Sequence, residues 1–148
     1  MAAIRPPRPW RGFSQCDQAW RTGTGCEFGI FDAETQDLVG GCGLNQFNQL
    51  NRFCNLGYWV RQSRQREGAA RASVEALAAF GFSMLQFVRI EIIVASGNQP
   101  SLAVARACGA WHEGVARQRL VLHGRPVDAH VFSLVPHTAV TAAAEEKS

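Results

Sequence analysis

Residues 57–75 of this chain, GYWVRQSRQREGAARASVE, run from the end of a predicted strand (56–61) through a polar turn into an alanine-rich helix that opens at Gly68. Within this stretch, residues 65–70 fit the pattern Q/R-x-x-G-x-G/A, in which small residues begin a helix. A helix N-terminus carries unpaired N–H groups and the positive end of the helix dipole, so it binds phosphate readily when the backbone is accessible. The stretch therefore predicts a seat for a phosphate or pyrophosphate. Taken alone, the pattern also fits an ordinary strand-to-helix connection.

Two more motifs follow downstream. Residues 98–101 read NQPS and residues 109–114 read GAWHEG. Together with Gly57-Tyr58-Trp59, they resemble the GNAT superfamily of acyl-CoA-dependent N-acyltransferases, in particular the branch typified by ribosomal-protein N-terminal alanine acetyltransferases. That branch carries GYW, the Q/R-x-x-G-x-G/A cradle, N-x-x-S and G-F-x-x-E-G in this order, and Ala110 stands here in the phenylalanine place. The resemblance covers roughly residues 26–135.

The resemblance implies an α/β (α+β) fold with a mixed, mostly antiparallel central sheet, flanked by helices and splayed between the fourth and fifth family strands. From the residues themselves, periodicity predicts strands at 26–32, 38–44, 56–61, 88–94, 111–123 and 127–134, helices at 68–86 and 98–109, and a loop over 45–55. We expect one GNAT-like domain over residues 26–135 and a disordered tail over 136–148.

The N-terminal segment, residues 1–25, departs from the family. Members carry a first strand and two helices before the strand at 26–32, and this segment is too short for all three, with a short helix predicted at 14–21. We therefore expect either a shortened or fragmentary member, or one that rebuilds the wall of the acceptor cleft from residues 1–25 or from a second subunit. A missing first strand would leave strand 26–32 as an exposed edge, which favours a homodimer.

The composition of the chain favours some kinds of ligand and partner over others. The chain has 148 residues, a net charge of +3 and a single lysine, Lys147. The mild positive charge suits a polyanionic cofactor, whereas no basic stripe interleaved with aromatics suggests nucleic acid, and no run is apolar enough to suggest a membrane span. The five cysteines include no C-x-x-C pair, which favours reduced thiols in the cytoplasm over a metal site.

The resemblance implies roles for the residues around the cradle. The backbone of Trp59, Val60 and Arg61 is expected to pair with the pantetheine of acetyl-CoA. The pyrophosphate is expected to bind at the start of the helix, on Gln65, Arg66, Gly68, Ala69 and Ala70. Glu67 departs from the family by placing a negative charge there, which Arg64, Arg66 and Arg71 could offset.

Asn98 and Ser101 each carry two interpretations. Capping of the helix explains Asn98 by itself, and the resemblance adds a contact to pantetheine. For Ser101, the resemblance places the hydroxyl near the thioester, where it could protonate the departing thiolate. Many family members have a tyrosine four residues later, but this chain has Ala105 there. Ser101 is therefore the candidate acid.

The general base is less defined. The related branch often has a glutamate two residues before the GYW glycine, and here that catalytic position is Asn55, whose amide cannot take a proton from an ammonium ion. Glu113, Asp128, His112 and His130 are possible substitutes, and each also has a structural explanation.

We therefore predict an enzyme that transfers an acetyl group directly from acetyl-CoA to a primary amine, on a small molecule or a protein N-terminus, with no metal. A catalytically silent acyl-CoA-binding or interaction domain of the same fold is the alternative, motivated by Asn55, Ala105 and the short N-terminus. A general nucleotide-binding α/β domain is the third, and the N-x-x-S and G-x-x-x-E-G segments count against it.

Overall fold

The structure, a computed structural model, describes residues 2–5 and 23–136. These residues form seven strands, two helices and one turn of 3-10 helix at Gln62–Arg64. The strands are β1 Ala2–Arg5, β2 Cys26–Asp32, β3 Leu38–Asn48, β4 Phe53–Val60, β5 Arg89–Ala95, β6 Trp111–Leu122 and β7 Arg125–Leu134. The helices are α1 Ala69–Ser83 and α2 Gln99–Ala107.

All seven strands lie in one sheet with the order β1-β2-β3-β4-β5-β7-β6. Every neighbouring pair is antiparallel except β4 and β5. These two parallel strands pair only through Phe53, Cys54 and Asn55, although both continue beyond that point. The mixed, mostly antiparallel sheet that splays between the fourth and fifth strands is thereby confirmed.

The structure has a first strand, which the sequence analysis did not predict. Strand β1 pairs with β2 in register Ala2↔Asp32 to Arg5↔Gly29, so a first strand is present and β2 is not an edge strand. The prediction missed it because four residues beside a proline-rich run carry too little periodicity to indicate a strand. The helix predicted at 14–21 and the tail from 137 onward lie outside the described residues.

The predicted loop at 45–55 is largely strand. Strand β3 continues to Asn48 and β4 begins at Phe53, so a short turn at 49–52 closes a hairpin. Polar residues can occupy these positions because alternate side chains of a strand face opposite sides of the sheet. Leu44, Cys54 and Leu56 are buried on one face, while Asn45 and Asn55 pair with each other on the opposite face.

Helix α1 packs closely on the sheet. Val74 and Leu77 are fully buried, and Met84 at the C-terminal cap is 70% exposed. At Gly81, a Cβ atom would lie 2.9 Å from Cδ1 of Ile90 and 3.2 Å from Cδ1 of Leu44, so glycine permits the close approach. These contacts place Leu44 and Ile90 on the face of the sheet that the helices cover.

The thiols belong to this core. Cys42 and Cys54 are buried, and burial raises the pKa of each to about 12. They therefore pack as small apolar side chains.

Replacing Leu77 by alanine should lower the free energy of unfolding by about 2–5 kcal/mol, because the change leaves a cavity between α1 and the sheet. Leu50→Ala is the matched control, since Leu50 is 89% exposed and its truncation should change stability by less than about 0.5 kcal/mol. Urea denaturation measures both. Equal losses in the two variants would contradict the packing described here.

Candidate active site

The opening between β4 and β5 begins directly after Asn55. Beyond it, the N–H of Arg61 donates to the carbonyl of Val39 in β3, over 2.8 Å. Because N–H groups along a strand alternate in direction, those of Tyr58 and Val60 point the other way, into the opening. The edge of β4 therefore presents unpaired backbone groups to whatever occupies the gap.

A cleft of about 730 Å³ lies at this opening, between β4, the start of α1 and the start of α2. It brings together most of the predicted site residues: Trp59, Val60, Gln65 and Arg66 from β4 and its turn, Gly68, Ala69 and Ala70 from α1, and Asn98 and Ser101 from α2. Asn55, Arg61 and Glu67 do not line it.

The wall at the start of α1 is suited to an anion. Gly68 caps the helix with φ +82, a left-handed conformation that favours glycine, and its side of the cleft is open because no described atom lies within 4 Å of an added Cβ. No acidic residue occupies the first turn, and its N–H groups have no intrahelical acceptor. The guanidinium groups of Arg66 and Arg71 also line the cleft.

The charge of Glu67 is directed away from this wall. Its Oε2 accepts a hydrogen bond from Nε of Arg64 at 2.8 Å, and the side chain is half-exposed. Arg64 also binds Asp32, at the end of β2. Hydrogen bonds from the backbone of Thr35 and from Arg64 hold the pKa of Asp32 well below its usual value. Arg64 thus offsets both carboxylates, and Arg66 has no ion pair with a described residue.

The backbone of Arg61 already makes two hydrogen bonds. Its N–H donates to the carbonyl of Val39, and its carbonyl accepts from the N–H of Arg64, both at 2.8 Å, so its predicted contact with pantetheine could use only the second lone pair of the carbonyl and stays a prediction. Trp59 likewise pairs with Gly41 in the β3 ladder. Of the three residues expected to offer their backbone, Val60 has the N–H that points into the opening.

A pair of hydroxyl groups bridges the opening. Tyr58 Oη donates to the carbonyl of Ser101 at 2.8 Å, and Ser101 Oγ donates to Tyr58 Oη at 3.0 Å. Burial raises the pKa of Tyr58 above its ordinary value, so its hydroxyl stays protonated. Asn98 accepts from the N–H of Ser101 at 3.2 Å and therefore caps α2. The sequence analysis did not single out Tyr58 as a site residue, because its contact with Ser101 joins positions that are 43 residues apart in the chain.

Comparison with known proteins fits this geometry. A profile of the family described as "Acetyltransferase (GNAT) domain" matches residues 5–110. This chain belongs to the GNAT acetyltransferase family. Among curated relatives, it is 32% identical over 108 residues to p20 of Bacillus licheniformis, named an uncharacterized N-acetyltransferase, covering 73% of this chain and 61% of that protein. It is 32% identical over 111 residues to YoaA of Bacillus subtilis, also named an uncharacterized N-acetyltransferase, covering 75% of this chain and 63% of that protein.

A solved structure from Vibrio cholerae, provisionally named a ribosomal-protein-serine acetyltransferase, superposes with a TM-score of 0.78 at 35% identity. The match covers 85% of this chain and 72% of that one. Among the curated relatives, this chain spans 61% of the length of p20 and 63% of the length of YoaA.

The four side chains named as substitute bases, two carboxylates and two histidines, make other interactions. Glu113 receives hydrogen bonds from Arg89, including one of 2.6 Å from Nη2 to Oε1, which lower its pKa to about 2. Asp128 accepts from the N–H of Gln118 at 2.8 Å, and Nε2 of His112 lies 2.9 Å from Nδ1 of His130. None of these residues lines the cleft.

Asn55 has an unusual environment in this GNAT chain. Its Nδ2 donates to Oδ1 of Asn45 at 3.0 Å, while its own Oδ1 is buried without a hydrogen-bond partner in the described structure. A buried, unpaired carbonyl oxygen costs free energy, and this one is closed off from solvent.

Within residues 2–5 and 23–136, no group of three or more His, Cys, Asp or Glu side chains could hold a metal ion. No helix in the described part of the chain is long and apolar enough to cross a membrane.

The Arg89–Glu113 pair predicts a pH dependence of stability. Because the folded-state pKa of Glu113 lies below the ordinary 4.5, its contribution is complete above about pH 4.5 and disappears as the pH falls toward 2. Glu113→Gln should therefore lose about 1 kcal/mol at pH 7, after allowance for solvent screening, and nothing at pH 2. Urea denaturation across this pH range measures the difference.

The control is Glu75→Gln, because Glu75 pairs with Arg71 at an exposed position, at 3.1 Å. A Glu113→Gln deficit that stays constant from pH 7 to pH 2 would contradict an ion pair as its origin.

Proposed function

We propose that this chain is an acetyltransferase that moves an acetyl group from acetyl-CoA directly to a primary amine. The observation that carries the proposal is the cleft itself. One wall is an unpaired strand edge, another is an anion-binding helix start, and the Tyr58–Ser101 hydroxyl pair lies where the two strands part. Family membership and the names of the relatives agree with this chemistry.

In the proposal, acetyl-CoA lies along the opening as an additional strand. Its pantetheine amides would pair with the free backbone of β4, including the N–H of Val60, which replaces hydrogen bonds that the diverging strands cannot make. The pyrophosphate would accept hydrogen bonds from the N–H groups of Gly68, Ala69 and Ala70, with Gln65, Arg66 and Arg71 beside it. Asn98 caps α2 through Oδ1, and its amide nitrogen would serve the pantetheine.

The reaction has one covalent exchange. The nitrogen of a neutral amine attacks the thioester carbonyl carbon, and a C–N bond forms as the carbonyl oxygen becomes an oxyanion. Collapse of this intermediate breaks the C–S bond and releases the CoA thiolate, which takes a proton to become the free thiol. A backbone N–H directed into the opening, near Val60, would stabilise the oxyanion.

Ser101 is the proposed donor of that proton. Its hydroxyl now donates to Tyr58, but Tyr58 can turn its own proton from the Ser101 carbonyl to Ser101 Oγ, because both oxygens lie within 3.0 Å of Tyr58 Oη. That rotation frees the Ser101 proton for the thiolate. Tyr58 then acts as a positioning residue that donates a hydrogen bond to Ser101 Oγ, solvent returns the lost proton to Ser101, and no reactive side chain is required at Ala105.

The competing proposal is a silent acyl-CoA-binding domain. Asn55 and Ala105 favour it, since both stand where related enzymes carry reactive side chains. Turnover separates the two, because a silent domain binds acetyl-CoA without releasing thiol. The acceptor, a cytoplasmic location and a homodimer stay predictions.

Acetyl-CoA titrated into the purified chain should bind with micromolar affinity, and Gly68→Trp should weaken binding at least ~10-fold by covering the helix start, a loss of about 1.4 kcal/mol. Calorimetry measures both. The matched control is Gly124→Trp, at a hairpin glycine with a similar φ of +76 and open surroundings. Absence of binding by the folded wild-type chain would overturn the proposal.

Ser101→Ala should lower kcat by about 10- to 100-fold with an unchanged Kd for acetyl-CoA, since CoA thiolate is a moderate leaving group that needs limited protonation. Thiol release with an active amine measures kcat. Ser83→Ala is the control, because Ser83 bonds only its own helix, donating to the carbonyl of Ala79 at 2.7 Å. A wild-type kcat in Ser101→Ala would assign the proton to water.

A further inference from the structure

The face of the sheet opposite the two described helices carries a polar row that starts at Glu27. The register pairs Glu27 of β2 with Gly43 of β3, and Gly43 with Gly57 of β4. The three positions therefore form a line across three neighbouring strands, about 4.8 Å apart. Glu27 is the sole one of the three with a side chain, and it is half-buried.

Gly43 makes room for the Glu27 carboxylate. A Cβ atom at Gly43 would lie 2.5 Å from Cδ of Glu27, closer than any real contact. The carboxyl group thus lies across the backbone of β3, reaching toward β4. The carboxyl group of Glu27 therefore lies about one strand spacing from Gly57. One amino group or one water molecule would fit in that space.

Above Gly57 the surface is open. No described atom lies within 4 Å of a Cβ built at this glycine. Gly57 is also the second residue beyond Asn55, the last residue that pairs β4 with β5. The open spot therefore lies at the point where the sheet splays, next to the gap proposed for the thioester.

Two amides extend the row on one side. Asn45 hydrogen-bonds the carboxylate of Glu27, and its Oδ1 accepts from Nδ2 of Asn55 at 3.0 Å. Because an amide that donates to one neighbour and accepts from the next has a fixed orientation, the chain of bonds leaves Oδ1 of Asn55 as the end without a partner. The Glu27 carboxylate thus borders the open spot as a hydrogen-bond acceptor, with the two amides behind it.

We propose that this spot binds the ammonium group of the acceptor and that Glu27, held in position by its hydrogen bond with Asn45, is the catalytic base. This inference rests on the acetyltransferase function proposed above. It places donor and acceptor on opposite faces of the opening, with acetyl-CoA beside the helices and the amine over Gly57. Asn55, which cannot itself take a proton, then acts through Asn45, whose amide it orients by donating from Nδ2.

The proton balance follows. The ammonium ion gives one proton to the Glu27 carboxylate and becomes a neutral amine, whose lone pair attacks the thioester carbon. A second proton passes from the nitrogen to solvent water as the amide forms, and solvent returns one proton to Ser101 for the one that the thiolate takes. Glu27 returns its proton to solvent, and the enzyme is unchanged.

The other described carboxylates near this part of the sheet are already paired with arginine. Glu91 and Glu113 both bind Arg89, and Asp32 binds Arg64. Glu27 has no ion pair with any residue of the described structure. Burial also raises the pKa of Glu27, which makes it a stronger base than a solvated carboxylate, and the hydrogen bond from Asn45 opposes this only in part.

The test compares Glu27→Gln with the wild-type chain. Acetyl-CoA and a panel of amines, consisting of a diamine, an amino sugar and a peptide with a free N-terminus, identify the amine with the fastest thiol release. With that amine, Glu27→Gln should lower kcat by about 100-fold or more, because general-base catalysis contributes about 10²–10⁴-fold. Calorimetric binding of acetyl-CoA should stay within about twofold of wild type, as confirmation that the donor site is intact.

Glu34→Gln is the matched control, since Glu34 lies exposed in the turn after β2. Formate supplies a second readout. It should raise the rate of Glu27→Ala several-fold by entering the vacated space, and it should not affect Glu27→Gln, which fills that space. If Glu27→Gln fails to fold, Glu27→Asp replaces it and should lose at least about 10-fold, because its carboxylate is one methylene shorter.

The outcomes separate the two proposals. A wild-type chain that binds acetyl-CoA but turns over no amine overturns the acetyltransferase function and this inference with it. A wild-type chain that turns over an amine, with an equal rate in the Glu27 variants, overturns the role of Glu27 alone. Loss of rate in Glu27→Gln with formate rescue of Glu27→Ala supports both.

Discussion

The three-residue contact between β4 and β5 is the constraint on which the site depends. Parallel strands ordinarily pair along their whole shared length, but here pairing stops at Asn55 while both strands continue. The backbone groups of β4 beyond that point need partners, and a cleft of about 730 Å³ lies beside them. An extended molecule rich in amides satisfies this requirement, which explains why a stable fold keeps an open edge in its interior.

The gap also organises what lies on either side of it. On the helix side, α1 and α2 begin next to the opening, so one helix presents unpaired N–H groups and the other presents Ser101. On the opposite face, glycines replace side chains over β3 and β4, and the space they leave is occupied by Glu27 over Gly43 and left open over Gly57. Glycine thus has two roles: Gly81 in α1 lets the helix approach the sheet closely, and Gly43 in β3 leaves room for the Glu27 carboxylate on the opposite face.

Arg64 and Arg89 are paired with carboxylates, whereas Arg66 is not. Arg64 and Arg89 are each held by two carboxylates, and they connect the turn after β4 to β2 and strand β5 to β6. Arg66 lines the cleft and pairs with no described residue, so it retains its charge for an anion. For binding of an anion in the cleft, the position of the Arg66 guanidinium therefore matters more than the small positive net charge of +3.

The sequence by itself determined the local features: the small residues that begin α1, the Asn98 cap of α2, the order of strands and helices, and the family to which they belong. Each depends on residues within one or two turns of each other, where propensity and capping act directly. It did not indicate β1, the extension of β3 and β4 through the Asn-rich segment, or the use of the Arg61 backbone by Val39. Only the tertiary structure decided that Tyr58 meets Ser101 and that Glu27, Gly43 and Gly57 form one line. Those contacts follow from the register of strands distant in the chain, and a shift of one residue would turn each of these side chains to the other face.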